Sequence, residues 1–288
     1  EQLHFAVCQI EKYPTALYLR LAVRVVSGWR SFDTDYEKTL PVGVPMLIDA
    51  IYQGIEDRYG QGLCRRALSL ITFSKGGVSD GEMEDLLSMD DAVLGEVFQY
   101  SDPGVRRIPS HVWSRIRSSL MDLLVEVDNG CLRWYHRQLK EAAERKYHYL
   151  RLQAHEAMAI YFNNLELSNT RRYGSRRDRR LRDMSLLFTG IGVWFDQALI
   201  NRRRCLEGVH HCIEARMVKQ ATDALCSIQS ICAHLKVKES FSLVDYVIRL
   251  YELSRADASL PKEFHQRVYH YYRWLRVSIH ALVKTSVM

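Results

Sequence analysis

Glycine and proline are scarce, at 15 and 6 residues in 288, which argues against long disordered or all-β stretches and leaves helix as the main expectation. Long apolar runs are also missing. The nearest, Met184 to Ile200, is interrupted by Asp196 and Gln197 and falls short of the roughly 18 to 20 apolar residues that span a bilayer, so a soluble chain without a membrane span is expected. The opening Glu1 to Tyr13 lacks the basic, apolar and small-residue order of a signal peptide. With Glu at position 1, the sequence reads as an excerpt from a longer protein. The seven cysteines are odd in number and include no CxxC pair, which speaks against a disulfide framework.

Catalytic signatures are sparse too. No GxxxxGKS/T phosphate loop occurs, Lys75-Gly76-Gly77 has neither its spacing nor its order, and HExxH is missing. The expectation is a chain with no catalytic centre and no cofactor of its own. A zinc site would need four of Cys205, His210, His211, Cys212, Cys226 and Cys232 to converge tetrahedrally. Their spacing does not favour this, since Cys226 and Cys232 read as small buried residues on a helix face, so no metal is assigned.

What is present is helical periodicity. Pro14-Thr15 opens a helix over Leu17 to Val26, the first in this reading. Met46, Leu47, Ala50, Ile51, Gly54 and Ile55 recur at three- and four-residue spacing up to Tyr59-Gly60. Leu63 to Phe73 forms a third helix stopped by Ser74-Lys75-Gly76-Gly77, and Ser79 with Glu82 reads as a capping box for a helix carrying Met83, Leu86 and Leu87. A short helix over Asp91 to Tyr100 follows, then one capped by Ser110 with Val112, Trp113, Ile116 and Leu120. At Leu123 the period changes: two apolar runs flank Asp128-Asn129-Gly130, a hairpin signal. Helices followed by one hairpin make a winged helix. Arg137 to Asn164 then reads as one long helix. Beyond it, Cys205 to Ala215, Val218 to Leu225, Ile228 to Leu235, Phe241 to Leu253 and Phe264 to Leu282 form a helical bundle or solenoid. The last of these carries the stripe Phe264, Val268, Tyr271, Leu275 and Ile279, read as core.

The net charge is +6, and the window Leu165 to Arg204, with ten Arg against Glu166, Asp178, Asp183 and Asp196, carries all of it. Its densest part includes Arg171, Arg172, Arg176, Arg177, Arg179 and Arg180, an exposed linker in this reading. Such a stretch suits contact with an acidic partner such as RNA or tubulin. Sequence-specific DNA reading is disfavoured, because the helix Ser79 to Leu87 carries Asp80, Glu82, Glu84 and Asp85, which phosphate would repel.

Three motifs resemble the NACHT-type STAND NTPases, in particular NACHT/WD-repeat, telomerase-associated and nephrocystin-like proteins. Tyr13-Pro14-Thr15-Ala16-Leu17-Tyr18-Leu19-Arg20-Leu21-Ala22 looks like the stretch closing the first helical subdomain of the NACHT module. Leu70 to Met83 is similar to the start of the following winged helix, and Trp134 to Ala142 resembles its end. The likeness is strong over 13–165 and weaker beyond, where Leu206 to Leu225 resembles later helices of that family. It implies that Pro14 packs on adenine and that His136 approaches the ADP phosphates. Tyr13 stands where the family commonly has Asn or Gly, and Arg137 where Asp often follows the histidine.

The expected architecture is mainly α. Residues 1–40 would end the first helical subdomain, 41–165 form a winged-helix domain with one β-hairpin and a long C-terminal helix, 166–183 an Arg-rich linker, and 184–288 a helical domain. The resemblance implies a regulatory or scaffold segment of a large NTPase, with ATP or ADP and magnesium bound by the parent protein if its own phosphate loop is intact. It also implies protein partners or self-association through the helical region and a cytoplasmic, cytoskeletal or ciliary setting. The rival class is a structural component of a cytoskeletal, ciliary or ribonucleoprotein assembly that keeps the fold without nucleotide switching.

Overall fold

The computed structural model describes residues 2–30, 32, 40–100, 105–127, 130–163, 182–183 and 200–285. The chain is mainly helical, with a small antiparallel sheet. An unforeseen helix, α1 (Gln2–Lys12), precedes α2 (Ala16–Val26). The Thr15 side chain caps α2 by accepting from the Tyr18 N–H, so Pro14 lies one residue outside the cap and is exposed. Next come α3 (Val44–Tyr59) and α4 (Gln61–Phe73), then β1 (Val78–Ser79) and α5 (Asp80–Ser88). The capping box at Ser79 and Glu82 is present with both of its hydrogen bonds.

After α6 (Asp91–Val97), the two-residue strand β2 (Val105–Arg106) precedes α7 (Ser110–Leu120). Ser110 is the first helical residue and not the cap; Pro109 occupies that position and has no side chain to donate or accept. Strands β3 (Leu124–Val127) and β4 (Cys131–Trp134) pair antiparallel with Val127 opposite Cys131. The expected hairpin is joined by β1, which pairs with the other edge of β4 and makes a three-stranded sheet in the order β1-β4-β3. Gly77 makes this possible. Its φ is +89°, and a Cβ there would meet the Leu132 carbonyl oxygen at 2.7 Å.

The helix expected over Arg137 to Asn164 is broken. α8 (Arg137–Lys146) ends at Tyr147, a 3-10 turn covers His148–Leu150, and α9 (Arg151–Asn163) follows. Tyr147 continues the apolar spacing but is wholly buried, and its hydroxyl donates to the Glu56 carboxylate at 2.8 Å. Its backbone leaves the helical region there, at φ −106° and ψ 15°, and the chain turns so that α9 can lie between two cores.

The first core draws on residues from Ala6 to Phe162, with Trp113, Tyr18, Tyr52 and Tyr147 among its largest buried side chains. Tyr52 packs against Trp134 with ring centroids 5.3 Å apart, and the Trp134 indole N–H donates to Thr72 Oγ1 at 3.1 Å, fixing β4 on α4. The second core joins Ala159 of α9 to residues between Val209 and Leu275. It is built from a π-helical turn (Arg204–Gly208), α10 (Val209–Glu214), α11 (Val218–Leu225), α12 (Ile228–Lys236), α13 (Ser240–Ala256) and α14 (Lys262–Thr285). Val268 and Leu275 of the α14 stripe are buried. Cys226 is buried as expected, but Cys232 is exposed, because α12 turns that side toward solvent. The short strand β5 (Arg182–Asp183) pairs parallel with β2. Among the described residues, no helix is long and apolar enough to cross a membrane.

Candidate functional site

Pro14 and His136 sit in different settings. His136 is the N-cap of α8: half-buried where β4 runs into the helix, it accepts from the Gln138 N–H through Nδ1 at 3.2 Å. That acceptor role leaves the proton on Nε2, so the free edge of the ring is a donor suited to an anion. Its neighbour Tyr135 lies edge-on to the imidazole and beneath the Arg20 guanidinium, 4.5 Å from the ring centroid. The Tyr135 hydroxyl is buried and has no hydrogen-bond partner among the described residues. Arg20 belongs to α2, so the helix that begins just after Pro14 reaches the His136 corner through this stack. The exposed Pro14 ring is not part of it. Arg171, Arg172, Arg176, Arg177, Arg179 and Arg180 lie outside the described residues.

The helix expected to repel phosphate does not present a free acidic face. Asp80 accepts from the Trp113 indole at 2.7 Å and pairs with Arg117. Glu84 and Asp85 hold Arg107, and Asp85 also accepts from the Tyr161 hydroxyl at 2.8 Å. Glu82 is taken by an arginine from far along the chain.

That arginine, Arg203, belongs to a deeply buried charged network. Its Nε and Nη2 donate to the two Glu82 oxygens at 2.8 and 2.9 Å, Nη2 also donates to the Gly77 carbonyl at 2.8 Å, and Nη1 donates to Glu207 Oε1 at 3.0 Å. Glu207 is fully buried in the π-helical turn. It accepts the backbone N–H of Gly76 at 2.7 Å and of Lys75 at 3.1 Å, and faces His211 Nε2 at 2.9 Å. Burial alone would raise the Glu207 carboxyl, but the bond from His211 and the charge of Arg203 overcome this and hold it low. The Lys75 ammonium adds bonds to Ser242 and Tyr246 of α13. The turn between α4 and β1 is thus gripped by side chains from the second core.

Behind Glu207 three histidines converge. His155 comes from α9, and His210 and His211 from α10. His155 Nδ1 and His211 Nδ1 are 2.8 Å apart, so one of them carries the proton between them. The ring centroids of His210 lie 5.8 Å from His155 and 5.0 Å from His211. Burial, followed by the neighbouring imidazoles, pushes His155 down to about 3 and His210 down to about 4, so both are neutral near pH 7. Among the described residues these three are the group whose donor atoms could share an ion, all lying within 4.8 Å of one another. The nearby thiols are poor candidates: burial raises Cys212 to about 12 and Cys205 to about 11. No spacing rule links His155 to His210 and His211, because the contact exists only once α9 and α10 pack together.

The expected absence of a GxSxG pattern does not hold: Gly77-Val78-Ser79-Asp80-Gly81 spells it. In the nucleophile elbow that pattern exposes a serine on a strained turn beside a histidine. Here Ser79 has an ordinary extended conformation, φ −77° and ψ 163°, and its hydroxyl accepts from the Glu82 N–H as a helix cap.

No protein-family model matches the chain, and no solved structure matches it. Curated proteins do. The chain is 32% identical over 142 residues to NACHT and WD repeat domain-containing protein 2 of Homo sapiens, covering 48% of the chain and 8% of that protein. It is 33% identical over 135 residues to the Mus musculus protein of the same name, covering 46% of the chain and 8% of that protein. Against NACHT domain- and WD repeat-containing protein 1 of Homo sapiens it is 28% identical over 222 residues, or 70% of the chain and 13% of that protein. The chain therefore spans about a tenth of the length of these relatives. The order of motifs around Pro14, Ser79 and His136 and these alignments agree: the chain is related to a segment of the NACHT and WD repeat domain-containing proteins.

Proposed function

We propose that the chain is a regulatory and scaffold segment of a large STAND NTPase, in which a winged helix passes the nucleotide state of the parent protein to the helical region behind it. The observation that carries this reading is the buried joint of Glu82, Arg203, Glu207 and the Lys75–Gly77 turn. A joint made of short, directional charged bonds couples two bodies more firmly than apolar sliding contact does, so a rotation of one is felt by the other. The element order helix, strand, helix, helix, strand, helix, strand, strand from α4 to β4 supports a winged helix over 41–165, and the second core supports a separate helical unit after it. His136 supports the sensing role: a half-buried imidazole with a free donor edge at a helix N-terminus is suited to a phosphate. Pro14, exposed before α2, is left available to an adenine from the part of the parent protein that holds nucleotide.

The rival reading, a structural component without nucleotide switching, is favoured by Arg137. It follows His136 where an acid is common in the family, and it pairs with Glu141 at 2.6 Å. The two readings separate in ATP and ADP binding by the full-length parent, with Pro14→Ala and His136→Ala beside wild type. Weaker ADP retention in both variants is expected for a live switch. No nucleotide binding by wild type leaves the structural reading.

A further inference from the structure

We propose that His155, His210 and His211 bind a zinc ion through three imidazoles, with the fourth position left to water or a small ligand. Three observations converge on this site. The first is the donor set: the ligand atoms of the three rings lie within 4.8 Å of one another, and His155 and His211 present Nδ1 to Nδ1 at 2.8 Å. Four-coordinate zinc with bonds of about 2.0 to 2.1 Å needs donors roughly 3.3 Å apart, so one ion displaces the shared proton with small ring movements. Metal binding at such a site releases that proton. Three imidazoles select zinc or its neighbours over magnesium and calcium, which prefer oxygen.

The second is the outer shell. When His211 ligates through Nδ1, its Nε2–H donates to Glu207, which the 2.9 Å contact already provides. This carboxylate–imidazole pair orients ligating histidines and raises their basicity. Glu207 is fixed in turn by Arg203 and by the N–H groups of Lys75 and Gly76, so the ligand ring is held before any metal arrives.

The third is the scaffold. Asn163 of α9 donates to the Gly208 carbonyl at 2.8 Å, and a Cβ at Gly208 would meet Asn163 Oδ1 at 2.7 Å. The helices bearing His155 and His210-His211 are thereby locked at close range. The π-helical turn Arg204–Gly208 that leads into His210 is an irregularity often found at functional sites. Access comes from the side of His210, which is partly buried where His155 and His211 are fully buried. His155 lies one turn inward from Arg151, and His210 one turn before Glu214; both of those residues line an open groove of about 870 Å³. Glu214 is held by Arg151 and Arg249, leaving the fourth position to water or a small ligand.

The test uses the protein without a histidine tag, stripped with chelator and titrated with Co²⁺ as a spectroscopic stand-in, then with Zn²⁺. One saturable equivalent with tetrahedral d–d absorption, displaced by Zn²⁺, is expected, and His210→Asn should weaken Co²⁺ binding by about tenfold or more. His210 is the ligand chosen because its loss leaves the His155–His211–Glu207 chain intact. X-ray absorption of the zinc-loaded wild type, expected to count three imidazoles, decides the matter should the variant fold poorly. No saturable signal, unchanged Co²⁺ affinity in His210→Asn, or fewer than three imidazoles around zinc overturns the proposal and leaves the histidines as a hydrogen-bonded chain.

Discussion

The core around residues 6–162 and the core around 209–275 each bury a carboxylate completely, and the two are satisfied in opposite ways. Glu56 of the first core is met by Arg65 at 2.7 Å, Lys146 at 3.2 Å and the Tyr147 hydroxyl at 2.8 Å, all within its own region. Glu207 of the second is met by His211 behind it and by the Lys75–Gly77 turn in front, with Arg203 bridging to Glu82. A buried carboxylate needs every lone pair occupied wherever its partners come from. Glu56 therefore holds one body together, whereas Glu207 holds two bodies to each other. The first arrangement is a stability device; the second makes the position of one region depend on the other.

The largest effect should come from breaking the second arrangement. Arg203→Met leaves Glu82 and Glu207 buried without their cation, a loss of about 3 to 5 kcal/mol for a one-sided deletion in a buried pair. Denaturant unfolding followed by fluorescence should then split into two transitions. A single cooperative transition of unchanged midpoint would mean that the joint does not couple the cores. A smaller change sharpens the comparison from the other side. Ser79→Ala removes the cap that accepts from the Glu82 N–H but leaves the Glu82 to Arg203 bonds, so it should cost about 1 kcal/mol with the single transition intact.

The smallest effect concerns pH. Burial would raise Glu214, but its bonds from Arg249 and Arg151 prevail and hold it at about 2, below its ordinary 4.5. A depressed carboxylate contributes stability that is complete above the unfolded value and is lost as pH falls from about 4.5 toward 2. The two arginines are 34% and 51% exposed, so solvent screening keeps the contribution below about 1 kcal/mol. Glu214→Gln should flatten the acid limb of thermal unfolding of the second core by that amount. An identical limb would show that the pair stores nothing.

Much of the fold was legible because its signals are local. The capping box of Ser79 and Glu82, the α11 to α14 helices and the β3–β4 pair each depend on residues a few positions apart, where spacing alone reports which side chains share a face. Local reading failed where a distant partner set the geometry. Tyr147 keeps the helical stripe in phase, yet the break occurs there because its hydroxyl reaches Glu56. Ser110 looks like a cap, but Pro109 holds that position. The acids of α5, expected to repel phosphate, are tied to Arg107, Arg117 and Arg203.

The site followed the same division. The junction that carries His136 was readable, since the strand and the helix around it announce themselves by period, whereas the role of His136 is what the family resemblance implies. His155 was not, because 55 residues separate it from His210 and no periodic rule spans that distance. The sequence by itself determined most of the helices and the hairpin, which rest on short-range spacing, and its motifs carried the resemblance to NACHT and WD repeat proteins. Only the tertiary structure decided that Arg203 would join Glu82 to Glu207 and that three histidines would meet behind them. Buried charges and imidazoles find their partners through packing in space, and packing is set by the whole chain at once.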